Sequence, residues 1–155
     1  MKIHKKSIIA LVTLLTAFAY GAKAQLAPLN MPQSDTTWST PQTMVVKSHS
    51  GGAQEVEITC KLIKHYGTTG KFEVQVTNKG PKKLSGYVGL VKGGGQKDLN
   101  YNNLAHFNRL GVNYRIKFNL ELRECLPKGR SKMTDLEKCK ACMPYIGFAE
   151  VNFDK

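Results

Sequence analysis

The residues best placed to do chemistry are four cysteines, three of which, Cys125, Cys139 and Cys142, fall in the stretch CLPKGRSKMTDLEKCKAC. Covalent haem attachment needs a histidine directly after a C-x-x-C pair, and Met143 stands there instead. A thioredoxin-like dithiol belongs at the start of a helix, where the dipole lowers the thiol pKa. Here Thr134 and Glu137 stand at capping-box spacing ahead of the pair, which puts Cys139 and Cys142 towards the helix C-terminus. A four-cysteine zinc site draws on two close pairs at about 2.3 Å from the ion. This chain has one close pair, with Cys60 and Cys125 isolated in sequence. Two structural disulfides fit an even count in an oxidising compartment. The preferred connectivity is Cys125–Cys139 with Cys60–Cys142, since cysteines at i and i+3 share a helix face.

The compartment is read from the N-terminus. MKIHKK is basic, SIIALVTLLTAFAY is apolar but short for a membrane span, and GAKA ends with alanines at 22 and 24. That order is the layout of a secretory signal peptide. The expectation is cleavage after Ala24 and a periplasmic or secreted protein with no later membrane span. Of 23 Lys and Arg, four lie in residues 1–24, while all 11 acidic residues lie beyond, so residues 25–155 carry 19 basic and 11 acidic groups, net +8. Such a balance draws anionic partners without specifying fold.

The elements that must position these residues read as β. Val56, Ile58, Cys60 and Leu62 alternate with polar residues, as do Phe72, Val74 and Val76, and Tyr114, Ile116, Phe118, Leu120 and Leu122, each set expected to face inward. Period-two alternation is what a strand with one buried face requires. TMVVKS, LSGYVGLV and FAEVNF are further strand candidates, separated by Gly-, Pro- and Asn-rich turns. Two short helices are expected, over LNYNNLAHFNRLG, with Leu104, Phe107 and Leu110 three apart, and over TDLEKCKAC. Residues 25–42, with Pro28, Pro32 and Pro41, read as an extended leader that Trp38 docks at its end. The domain organisation is thus 1–24 signal peptide, 25–42 leader and 43–155 β-domain. The fold class is a disulfide-stapled antiparallel β-sandwich. The strand–turn–strand VQVTNKGPKKLSGYVGLV is similar to pieces of immunoglobulin-like domains, a resemblance that bears on fold alone.

Other chemistry is sparse. His49, His65 and His106 have no metal-ligand spacing, no G-x-S-x-G occurs, and GGGQKD lacks the Lys-Ser/Thr of a phosphate loop. No catalytic residues, metal or cofactor are assigned. The candidate ligand-binding residues are the basic turns and nearby aromatics: Lys79, Lys82, Lys83, Lys92, Lys97, Tyr87 and Tyr101. Lysines with aromatics suit an anionic ligand; against that, lysines at strand ends also guard a sheet edge. The expected function is an exported, non-enzymatic binding or assembly protein that recognises an anionic glycan, a charged surface or a protein partner, with nucleic acid disfavoured. The alternative is a thiol–disulfide oxidoreductase or metal-binding protein using Cys139 and Cys142.

Overall fold

The computed structural model describes residues 24–93, 99 and 103–154. Eight strands form two antiparallel four-stranded sheets. They are β1 (Gln25–Pro28), β2 (Gln42–Lys47), β3 (Ala53–Tyr66), β4 (Thr69–Asn78), β5 (Lys83–Lys92), β6 (Ala105–Leu110), β7 (Arg115–Leu122) and β8 (Pro144–Asp154), and the one α-helix among the described residues is α1 (Asp135–Ala141). One sheet has the order β1-β8-β5-β6, the other β2-β3-β4-β7. No helix among the described residues is long and apolar enough to cross a membrane.

The alternation read in the sequence is what builds the core. Val56, Ile58, Cys60 and Leu62 of β3, Phe72, Val74 and Val76 of β4, and Phe118, Leu120 and Leu122 of β7 all point inward and are buried. From the other sheet, Leu84, Val88, Phe107, Ile146, Phe148 and Val151 meet them. Phe107 sits at the centre, edge-on to Phe148 with centroids 6.3 Å apart and tilted against Phe118 at 6.0 Å. Ring pairs at such separations add about 0.5–1.5 kcal/mol each beyond their buried area.

The helix expected over LNYNNLAHFNRLG does not form at residues 105–110, which are strand β6. The reason is a bulge. Leu84 pairs with Leu110 and Gly86 with Phe107, so Ser85 faces two residues of β6. Arg109 takes a positive φ of 51° there, its N–H donates to Ser85 Oγ at 2.8 Å, and Ser85 Oγ donates to Asn108 Oδ1 at 3.2 Å. An extra residue shifts the in–out parity by one. Phe107 and Leu110 therefore both face the core although three apart, a spacing that imitates a helix. The helix expected over TDLEKCKAC does form, and Thr134 and Glu137 close the capping box.

Residues 25–42 are extended but belong to the sandwich. β1 pairs with β8, Gln25 opposite Phe148, and Leu29 is buried in the core. Along this side the two sheets are sewn together by glutamines. Gln25 donates from Nε2 to the Lys47 carbonyl at 2.8 Å and accepts the Lys47 N–H at 2.7 Å. Gln42 accepts the Asn30 N–H at 2.6 Å and donates to the Pro28 carbonyl at 2.8 Å. Trp38 lies on the outer face of the second sheet, its ring 6.0 Å from Lys117 Nζ.

The outer face of the first sheet is apolar too. Gly89 and Gly147 stand opposite each other on β5 and β8. A Cβ on Gly89 would come within 2.6 Å of Leu104 and one on Gly147 within 2.5 Å of Leu26. The missing side chains make the groove in which those leucines lie.

Candidate functional site

The structure contains one disulfide, Cys125–Cys142, with Cα atoms 5.7 Å apart. Cys60 and Cys139 are buried thiols. The expected pairs Cys125–Cys139 and Cys60–Cys142 are therefore not the ones found. The physical reason lies in where α1 ends. Cys142 is its C-cap and turns out towards Cys125, whereas Cys139 points into the core beside Gly70, where a Cβ would lie 2.7 Å from its sulfur. The Cys60 thiol donates to the Asn30 carbonyl at 3.2 Å. Burial pushes the Cys60 pKa up to about 11 against a partial opposing effect of the Ser39 hydroxyl. Burial, then the charges of Asp135 and Asp35, push Cys139 up to about 12. Neither is a nucleophile at physiological pH.

The candidate ligand-binding residues do not form one cluster. Lys83 and Lys92 begin and end β5, so about 30 Å of strand separates them. Lys92 faces the disulfide end, with Nζ 3.3 Å from the Glu124 carbonyl and 3.6 Å from its carboxylate. Tyr87 packs against His106 with ring centroids 4.9 Å apart. Lys97 and Tyr101 lie outside the described residues.

Lys79, Lys82 and Lys83 do stay together, on the β4–β5 turn, which is fixed from beneath by Asn78. Asn78 Nδ2 donates to the carbonyls of Lys82 and Leu110, at 2.8 and 2.9 Å. Its Oδ1 accepts from Gln54 Nε2 and from the Gly80 N–H, both at 3.0 Å. Two donors and two acceptors are all that a side-chain amide has. Asn78 N–H also donates to the Tyr114 carbonyl and its own carbonyl accepts the Asn113 N–H. Through Asn78 the β6–β7 turn is brought against the β4–β5 turn.

That juncture adds residues the sequence did not single out. Arg115 pairs with Thr77 in register and donates to its hydroxyl at 3.3 Å. Arg109 lies 3.4 Å from the Asp154 carboxylate; Tyr114, expected on the inward face of its strand, instead closes the turn ahead of β7 and is 71% exposed. Two further acids stand at this end: Glu55, whose carbonyl accepts the Lys79 N–H, and Glu57, in the same cross-strand row as Thr77 and Arg115. Among the described residues, Lys79, Lys82 and Lys83 form no ion pair. Only tertiary packing joins residues 79–83 to 109–115, and no local pattern announces it.

The histidines are dispersed, and no group of metal-binding side chains occurs among the described residues. One coupled trio lies on the surface: Tyr66 donates to Glu121 Oε1 at 3.0 Å and Arg123 donates to Oε2 at 3.1 Å. The Arg123 bond, then the Tyr66 bond, holds the Glu121 carboxyl below its usual range, and the same carboxylate raises the Tyr66 phenol. Both groups are open to water, and no nucleophile joins them.

Compared with known protein families, characterised proteins and solved structures, the chain matches none at a significant level.

Proposed function

We propose that the chain is an exported, non-catalytic binding module that engages a polyanionic partner through the end of the sandwich carrying Lys79, Lys82 and Lys83. The observation that carries this reading is a backbone turn held by Asn78 that carries three lysines with no ion pair among the described residues. A turn whose backbone is pinned by a saturated buried amide spares binding the cost of ordering that backbone, and only the lysine side chains remain to be ordered. Arg109 and Arg115 stand beside the three lysines, so five cations outnumber Glu55, Glu57 and Asp154 there and the local field is positive. Export is supported by the signal-like residues 1–24 and by the Cys125–Cys142 disulfide, a bond that persists in oxidising compartments.

The oxidoreductase reading draws less support. Cys139 is a buried thiol with its pKa at about 12, and Cys142 is bonded to Cys125 rather than to Cys139. An exchange catalyst uses an accessible thiol of depressed pKa.

The test is retention of the protein on immobilised heparin, a polyanionic glycan, across a salt gradient. The wild type elutes late, since exposed charges are screened only as the Debye length shrinks below about 8 Å. Lys79, Lys82 and Lys83 changed together to Gln move elution to much lower salt. An unchanged profile in the triple variant overturns the reading.

A further inference from the structure

The β3–β4 hairpin tip, the segment after Cys125 and helix α1 border an open surface cleft of about 400 Å3. It lies at the disulfide end, one length of β4 (about 30 Å) from the Lys79–Lys83 turn. The volume is within the range of small-ligand sites. His65, Thr68, Arg130, Ser131 and Lys138 line it, with Leu126 as its apolar wall. No carboxylate is among the described residues of the lining.

The walls are held in place by His65 and Cys125. His65 N–H donates to Asp135 Oδ2 on α1 at 3.1 Å. Its Nε2 lies 3.0 Å from the Cys125 carbonyl, and since a carbonyl only accepts, Nε2 bears the proton and Nδ1 is left for another partner. The Cys125 N–H donates to the Thr68 carbonyl at 2.7 Å, and the disulfide ties Cys125 to the end of α1. Asp135 is the nearest acid to this lining. One of its oxygens accepts from His65 and the other lies 3.5 Å from Lys138 Nζ, so its charge is already engaged.

We infer that this cleft is a binding site for a phosphomonoester group. A guanidinium offers a fork of donors, the Lys138 ammonium two beyond the one it directs at Asp135, and two hydroxyls complete a set larger than a planar carboxylate can use. A tetrahedral group with three terminal oxygens matches it. Leu126, 49% exposed, faces the ester side. The site owes nothing to the Lys79–Lys83 turn.

Titration calorimetry of the purified protein with inorganic phosphate and with glycerol 3-phosphate tests it. A parallel arm uses sedimentation with phosphatidylcholine vesicles, plain or containing phosphatidic acid. Saturable binding is expected, weakened about tenfold or more by Arg130→Gln, since a hydrogen bond to a charged group is worth at least that factor. Arg130 is on the surface, and an unchanged circular dichroism spectrum confirms the fold. Changing Lys79, Lys82 and Lys83 to Gln leaves the binding as it was. Binding in the soluble arm places the phosphate on a small molecule; Arg130-dependent binding of phosphatidic acid vesicles alone places it on a lipid. No binding in either arm, binding equal in wild type and Arg130→Gln, or binding lost only in the lysine triple variant overturns the inference.

Discussion

Gln25 and Gln42 grip each other's strands: each side-chain amide makes one donated and one accepted hydrogen bond to the backbone of the facing sheet. The pair imitates two rungs of a β-ladder where the sheets themselves are not hydrogen-bonded. Gln42→Glu keeps the acceptor for Asn30 N–H but sets a carboxylate against the Pro28 carbonyl. Gln42→Glu is expected to cost about 1–3 kcal/mol, and Gln42→Ala about 1–2. Urea unfolding at neutral pH measures both. If Glu is tolerated as well as Gln, the donated bond contributes nothing.

Asn78 has a sharper prediction. Its side chain is fully buried and every hydrogen-bonding position on it is used. Asn78→Asp removes both donors and faces a buried charge with the carbonyls of Lys82 and Leu110. The expected loss is about 3–5 kcal/mol, larger than for Asn78→Ala. Thermal unfolding of the two variants decides the order, and equal losses would mean that water enters and satisfies the carbonyls.

The two buried thiols give a dependence on alkaline pH. Their ordinary value is 9.0, and the fold holds Cys60 up to about 11 and Cys139 up to about 12. Below pH 9 both states keep these protons, so the full stability is present. Above it the unfolded chain ionises first, and stability falls by about 1.4 kcal/mol per pH unit for each thiol until the folded pKa is reached. Urea midpoints near pH 8 and pH 10 show this slope, and the variant with both Cys60→Ala and Cys139→Ala loses it. A wild type and a double variant that fall in parallel would contradict the assignment.

Labelling with a thiol reagent follows from the same burial. Native protein at neutral pH is expected to react with none of its cysteines, and denatured unreduced protein to show two free thiols. Zero would mean that Cys60 and Cys139 also pair, and four would mean that no disulfide forms.

Breaking Cys125–Cys142, which are 17 residues apart in sequence, is expected to cost about 3 kcal/mol by chain entropy. The double change to Ala tests it by calorimetry. Because that bond also fixes a wall of the cleft beside His65, the same variant loosens the 125–131 segment, readable as faster amide exchange there.

How far the molecule was legible depends on parity. β3, β4 and β7 keep strict alternation, so Val56, Val74 and Phe118 could be placed inward from sequence. β6 was misread because the bulge at Asn108 and Arg109 resets parity through a tertiary partner, Ser85, which no local window contains. Residues 25–42 look like a linker because their partners, β8 and Lys47, are distant in sequence. The disulfide turns on where α1 ends, since Cys139 is inside the helix and faces the core while Cys142 is its C-cap and turns out to Cys125. The separation of Lys83 from Lys92, by contrast, was available in advance: a ten-residue strand between them already sets them too far apart for one small ligand.

The pairing of β1 with β8 orders the assembly in time. The first described strand has no partner until the last one exists. At 5–20 residues per second, on the order of ten seconds pass between the appearance of Gln25 and that of Asp154. The hairpin-linked β2, β3 and β4 and then β7 can gather earlier, with the apolar face of Val56, Val74 and Phe118 lacking its cover. For that interval the nascent half-sandwich exposes an apolar face on which other chains can collapse. Closure of the final strand ends it.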